Sequence, residues 1–219
     1  MSVMRSHFAL QDGSEMEAPF YLHDFRKYRM WENFFLVKQL ISYINLMVTP
    51  VPEEIIWCYG IWQHAYEEIA SKVLFSEGLP KIESDDGKCC LVIVDDLMTE
   101  ADKTLTDLFT KACHHKNISV IHIVQNLFGK NKEQRTLSLN SHYLVIFKNP
   151  RDMSQISYLA RQMYPGNSRY VEEAYKDATK SPHGYLLLDL KQSTPDNLRL
   201  RTSIFPSDPV QTVYLPTKQ

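Results

Sequence analysis

Glycine is scarce: seven in 219 residues, at positions 13, 60, 78, 87, 129, 166 and 184. None stands in a G-x-x-x-x-G-K-[ST] run, the loop whose backbone N–H groups cradle nucleotide phosphates. Gly87-Lys88 is followed by Cys89 and opens an apolar strand, the wrong place for such a loop. Cysteine is equally thin. Cys58, Cys89, Cys90 and Cys113 form no CxxC pair, and three lie in or beside apolar runs, where cysteine acts as a small hydrophobe. That usage excludes a structural zinc and points to a reduced, intracellular protein, nuclear or cytoplasmic. No apolar run approaches the ~18 residues of a membrane span. The opening MSVMRSHFALQDGSEMEAPF lacks the charged-then-apolar order of a secretory signal. Excess charge is missing too: the net charge of −2 argues for neither nucleic-acid nor membrane binding by the whole-protein field. No GxSxG occurs, so a serine nucleophile has no support.

What is present is an alternation of strand-like and helix-like patterns. EIIWCYG (54–60) reads as a short strand ending on glycine. QHAYEEIASKVL (63–74) places Tyr66, Ile69, Ala70, Val73 and Leu74 on one helical face. CCLVIVDD follows the polar turn ESDDGK, and a helix is predicted next: Thr99 and Asp102 make a capping box before a stripe of Leu105, Leu108, Phe109 and Ala112. ISVIHIVQN (118–126) and YLVIFK (143–148) are further strands. MSQISYLARQMY and SRYVEEAYKDAT read as two helices broken by Pro165-Gly166, and GYLLLDL with LRLRTSIF as a closing pair of strands.

Near-continuous apolar strands between amphipathic helices imply a mostly parallel sheet covered on both faces, an α/β domain with antiparallel strands added near the C-terminus. The expected organisation is a poorly ordered or degenerate segment 1–33, a domain over 34–205, and an irregular tail 206–219 holding Pro206, Pro209 and Pro216.

The chemistry concentrates at LVIVDDL (91–97), four apolar residues running into two aspartates. In an open parallel sheet, ligands bind beyond the carboxyl ends of the strands, where Asp95 and Asp96 stand. Strand alternation turns the two side chains different ways, so one can hold hydrated Mg²⁺ and the other orient an attacking water. A solvated strand-to-helix turn whose aspartates favour the next helix's N-terminus is the plainer alternative. The next strand ends IVQN, placing Gln125 and Asn126 at the same edge; a neutral amide there can bond both a γ-phosphate and water, and Asn126 also suits a turn. Arg135 is either a charge-stabilising finger toward a neighbouring subunit's nucleotide or an exposed helix arginine.

Other clusters carry less. His114-His115 are adjacent on a helix end and do not converge on one ion, and His122 alternates with Ile121 and Ile123 as a core histidine would. Lys130, Lys132, Arg135, Lys148 and Arg151 offer either phosphate contacts or an ordinary solvated surface.

LVIVDDLMTEADKTLTDLFTKACHHKNISVIHIVQNLF, followed by RTLSLNSHYLVIFKNPRD, resembles the viral DNA-packaging ATPases of the FtsK/HerA superfamily. The likeness is to the Polinton (Maverick) and adintovirus-like kind, with the poxvirus packaging ATPase more distant, and covers residues 34–205. It implies a RecA-like fold of the ASCE P-loop class, with ATP and Mg²⁺ as cofactors. Asp95 becomes the Mg²⁺-associated Walker B acid, Asp96 the catalytic acid and Gln125 the sensor. The implied partners are double-stranded DNA, a homo-oligomeric ring and capsid components, without a membrane.

Against that template the first loop is missing. FFLVKQLISYINLM (34–47), with Val37, Leu40, Ile41 and Ile44 as its apolar face, resembles the helix that follows the phosphate loop, yet RKYRMWEN (26–33) precedes it without a glycine. Ungapped, Trp31 takes the second glycine's place, Glu32 the lysine's and Asn33 the hydroxyl residue's. A unit charge ~4 Å from phosphate, at an effective dielectric of about 20, interacts by about 4 kcal/mol, so exchanging lysine for glutamate swings the site by several. The expectation is a degenerate packaging-type ATPase that does not bind or hydrolyse ATP as written. The alternative is an active enzyme whose P-loop lies in an upstream segment outside this sequence.

Overall fold

The structure, a computed structural model, describes residues 4–7, 20–23, 30–80, 88–95, 97, 102–107, 109, 117–124 and 132–216. In chain order the strands are β1 (Met4–His7), β2 (Phe20–His23), β3 (Glu54–Tyr59), β4 (Leu74–Glu77), β5 (Cys90–Asp95), β6 (Ile118–Val124), β7 (Tyr143–Phe147), β8 (Tyr185–Asp189), β9 (Leu200–Thr202) and β10 (Thr212–Leu215). The helices are α1 (Met30–Ser42), α2 (Ile44–Met47), α3 (Asp102–Asp107), α4 (Lys132–Asn140), α5 (Met153–Met163) and α6 (Ser168–Ala178). The chain groups into two compact units, Gly13–His142 on one hand and Met1–Asp12 with Tyr143–Gln219 on the other. The expected boundaries after residues 33 and 205 fall inside these units.

The first unit is built on a parallel sheet in the order β2-β6-β5-β3-β4. β6 is buried at every residue, and β5 from Leu91 onward. Interior parallel strands of this kind have helices on both faces, which is why they read as unbroken apolar runs. On one face Trp57 of β3, level with Ile93 of β5, receives Phe34 of α1 with ring centroids 5.8 Å apart. On the other face His122 of β6 meets Phe109, just past α3, at 6.1 Å. Within α1, Val37, Leu40 and Ile41 are buried at the i, i+3, i+4 spacing that predicted them.

One expectation in this unit is corrected, and another falls mostly outside the described residues. Of segment 1–33, expected to be poorly ordered or degenerate, residues 20–23 form β2, which pairs with β6 from Phe20 opposite Ile121 to His23 opposite Val124. FYLH is too short to stand out among polar neighbours, and its place is fixed by the ladder that β6 offers. The helix expected over 63–74 is a 3-10 turn from His64 to Ile69, followed by β4 parallel to β3. Tyr66 and Ile69, three apart, are both buried there, a spacing that suits three residues per turn. Ala70 and Leu74, assigned to the apolar stripe, are exposed.

The second unit is antiparallel, in the order β7-β8-β9-β10-β1. Helices α5 and α6 fall where the sequence puts them. Tyr170, Val171, Ala174, Tyr175 and Ala178 form the buried face of α6, and three tyrosine hydroxyls tie it down. Tyr175 donates to the Phe147 carbonyl (3.0 Å) and accepts from the Asn149 amide (2.6 Å). Tyr170 donates to the Tyr214 carbonyl at 2.6 Å, and Tyr214 to Asp177 at 2.9 Å. The tail 206–219, expected to be irregular, therefore holds an ordered strand: β10 pairs with β1 and β9, with Val213 and Tyr214 buried. Its prolines lie outside the strand, where no ladder N–H is required.

Candidate functional site at the carboxyl end of β5

Asp95 is the last residue of β5, and only 5% of its surface reaches solvent. Its neighbours in register are Tyr59 of β3 and Ile123 of β6. Alternation from Ile93 places the Asp95 side chain on the face that carries Trp57 and α1. There the Tyr66 hydroxyl, delivered by the 3-10 turn, donates to Asp95 Oδ2 at 2.7 Å. Such a bond contributes ~1.5–3 kcal/mol where the carboxylate is ionised, and it answers the cost of burying the group.

Tyr66 is the centre of an aromatic cluster. Its ring centroid lies 5.2 Å from Trp57, 5.5 Å from Trp62, 5.5 Å from Phe75, 5.9 Å from Tyr59 and 6.1 Å from Phe34. Tilted, stacked and edge-on pairs at these separations are favourable beyond the area they bury. Sequence reasoning places Tyr66 on an apolar stripe and misses its hydroxyl's role, since the partner lies 29 residues away with no local spacing to betray it.

Asp96, Gln125 and Asn126 lie outside the described residues, as do 24–29, the connection from β2 to α1. Arg135 is exposed on α4. Glu32, half-buried, is the acidic residue of the first turn of α1, where it suits the helix's positive end and opposes a phosphate. Asn33 is 1% exposed, and its Oδ1 has no hydrogen-bond partner among the described residues. A buried carboxylate that already accepts from a tyrosine, on the sheet face that carries α1 with glutamate in its first turn, fits Mg²⁺-nucleotide poorly. The Asn33 Oδ1 is a buried acceptor there that a cation or water would satisfy. Among the described residues no three His, Cys, Asp or Glu side chains gather as a metal-binding group.

Two thiols near the sheet are held protonated. Burial pushes the Cys58 thiol up to about 12, and burial with the nearby Glu53 charge raises Cys89, so neither is poised as a thiolate. No helix among the described residues is long and apolar enough to cross a membrane. No family model, curated protein or solved structure matches the chain.

Proposed function

We propose that the chain is a degenerate homologue of the packaging-type ATPases, RecA-like in its parallel unit, with the acid edge kept and the phosphate grip lost. The observation that carries this reading is the position of Asp95. It sits buried at the carboxyl end of β5, one strand removed from β2, and β2 leads into α1 on the face that Asp95 occupies. In a nucleotide-binding α/β sheet the phosphate loop joins a central strand to its helix, and the metal-linked acid ends a nearby strand. Here that seat, residues 24–29 and the first turn of α1, reads DFRKYR-MWEN.

Without glycine, backbone amides lack the close approach to phosphate that the loop geometry needs, and Glu32 replaces attraction with repulsion. In this reading ATP and Mg²⁺ are cofactors of the ancestor, as are the DNA and ring partnerships, and Asp96, Gln125 and Arg135 are inherited positions. The present role is that of an interaction module.

The test is reconstruction. The wild-type chain is expected to show no binding of a fluorescent ATP analogue with Mg²⁺. The quadruple variant Arg26→Gly, Trp31→Gly, Glu32→Lys, Asn33→Thr is expected to gain Mg²⁺-dependent binding that Asp95→Ala removes. A folded quadruple variant that binds nothing sinks the RecA-like reading. Micromolar wild-type binding abolished by Asp95→Ala sinks the loss of activity.

A further inference from the structure

Two facts about Asp95 pull apart: its place in the fold is that of a metal-linked acid, while one of its oxygens is engaged by the Tyr66 hydroxyl at 2.7 Å. That hydroxyl is not a casual neighbour. Tyr66 is 1% exposed, and its ring touches each of the other five aromatic residues of the cluster. Those five come from α1 (Phe34), β3 (Trp57, Tyr59), the turn after Gly60 (Trp62) and β4 (Phe75). Removing the ring would leave a hole among all of them, so the packing of the cluster depends on how the Tyr66 ring is set. Of the six, Trp62 alone is exposed, at 44%, next to Ile61 at 82%.

We infer that the Tyr66 hydroxyl stands where a hydrated ion would be in a metal-linked acid, so that Asp95 is a positioning residue for an aromatic platform. The carboxylate fixes the tilt of Tyr66, Tyr66 fixes the cluster, and the cluster presents Trp62 at the surface. The inference deepens the reading above, resting on it only for the comparison with a metal-linked acid; the hydrogen bond stands without it.

The experiment is a double-mutant cycle of Tyr66→Phe and Asp95→Ala in the full chain, followed by urea unfolding. Asp95→Ala is expected to cost less in the Tyr66→Phe background, by about tenfold in the unfolding equilibrium constant. Tyr66→Phe is also expected to shift tryptophan emission, and the shift should shrink when Trp62→Phe is added, Trp57 against the same ring supplying the rest. Manganese titration by electron paramagnetic resonance should find no site in the wild-type chain that depends on Asp95. Additive costs, or a manganese site lost with Asp95→Ala, overturn the inference. Where Asp95→Ala does not fold, Asp95→Asn serves: its amide oxygen still accepts from tyrosine, so Tyr66→Phe should still carry a cost, smaller than in wild type because the acceptor is uncharged. No cost of Tyr66→Phe in that background overturns the inference. ATP binding alongside an intact cycle sinks the pseudo-ATPase reading alone, and an additive cycle without ATP binding sinks this inference alone.

Discussion

The imidazole of His122 lies edge-on to the ring of Phe109, centroids 6.1 Å apart and planes at 63°, where 2% of the histidine reaches solvent. Burial drives its pKa from 6.5 down to about 3, because a charged imidazole has no water there. Between those values the unfolded chain binds a proton that the folded chain refuses, so stability falls as pH falls from 6.5 toward 3. The slope from this one group is at most ~1.4 kcal/mol per pH unit. Urea unfolding at neutral and mildly acidic pH should show wild type losing more stability than His122→Leu. Equal losses would show that the histidine is not held neutral.

Tyr175 donates to one backbone group and accepts from another, at the end of β7. Tyr175→Phe keeps the ring and strands a buried amide and carbonyl. The expected loss is ~1–3 kcal/mol, read from the denaturant midpoint. A change within the error of the midpoint would mean that water takes the hydroxyl's place.

Asp189, 2% exposed, accepts from the Arg201 guanidinium and, at 3.1 Å, from the Lys191 amide. Removing the cation leaves an uncompensated buried charge, so Arg201→Met should cost ~3–5 kcal/mol. Arg201 Nε has no partner among the described residues, which puts the value toward the lower end. Adding Asp189→Asn should recover part of the loss, and failure to recover any would place the cost in packing instead.

Gly184 follows the turn after α6, and a Cβ there would stand 2.4 Å from the Ala178 carbonyl oxygen and 3.0 Å from that of Ser181. Both are backbone atoms with little room to give. Gly184→Ala should cost about 3 kcal/mol or more, at the top of the overpacking range. Gly166→Ala, with nothing within 4 Å, is the matched control and should be nearly neutral. Equal thermal midpoints for the two variants would contradict the clash.

Much of the architecture is legible in periodicity. β5, β6, α5 and α6 fall where apolar runs and i, i+3, i+4 stripes put them, because burial on one or two faces leaves a local imprint. The candidate site is legible only in its acid. Asp95 is visible as the end of LVIVD, whereas Tyr66, its partner, reads as an ordinary apolar helix position.

What the amino-acid order determined alone is the alternation of strands and helices, the aspartate at a strand's carboxyl end, and the lack of a glycine loop before α1. Those properties belong to runs of a few residues. Tertiary structure decided that FYLH joins the parallel sheet, that TVYL enters the antiparallel one between β9 and β1, and that a tyrosine engages Asp95. Each of these depends on a backbone ladder or a hydroxyl supplied from far along the chain, and short segments acquire their conformation from the partner that completes their hydrogen bonds.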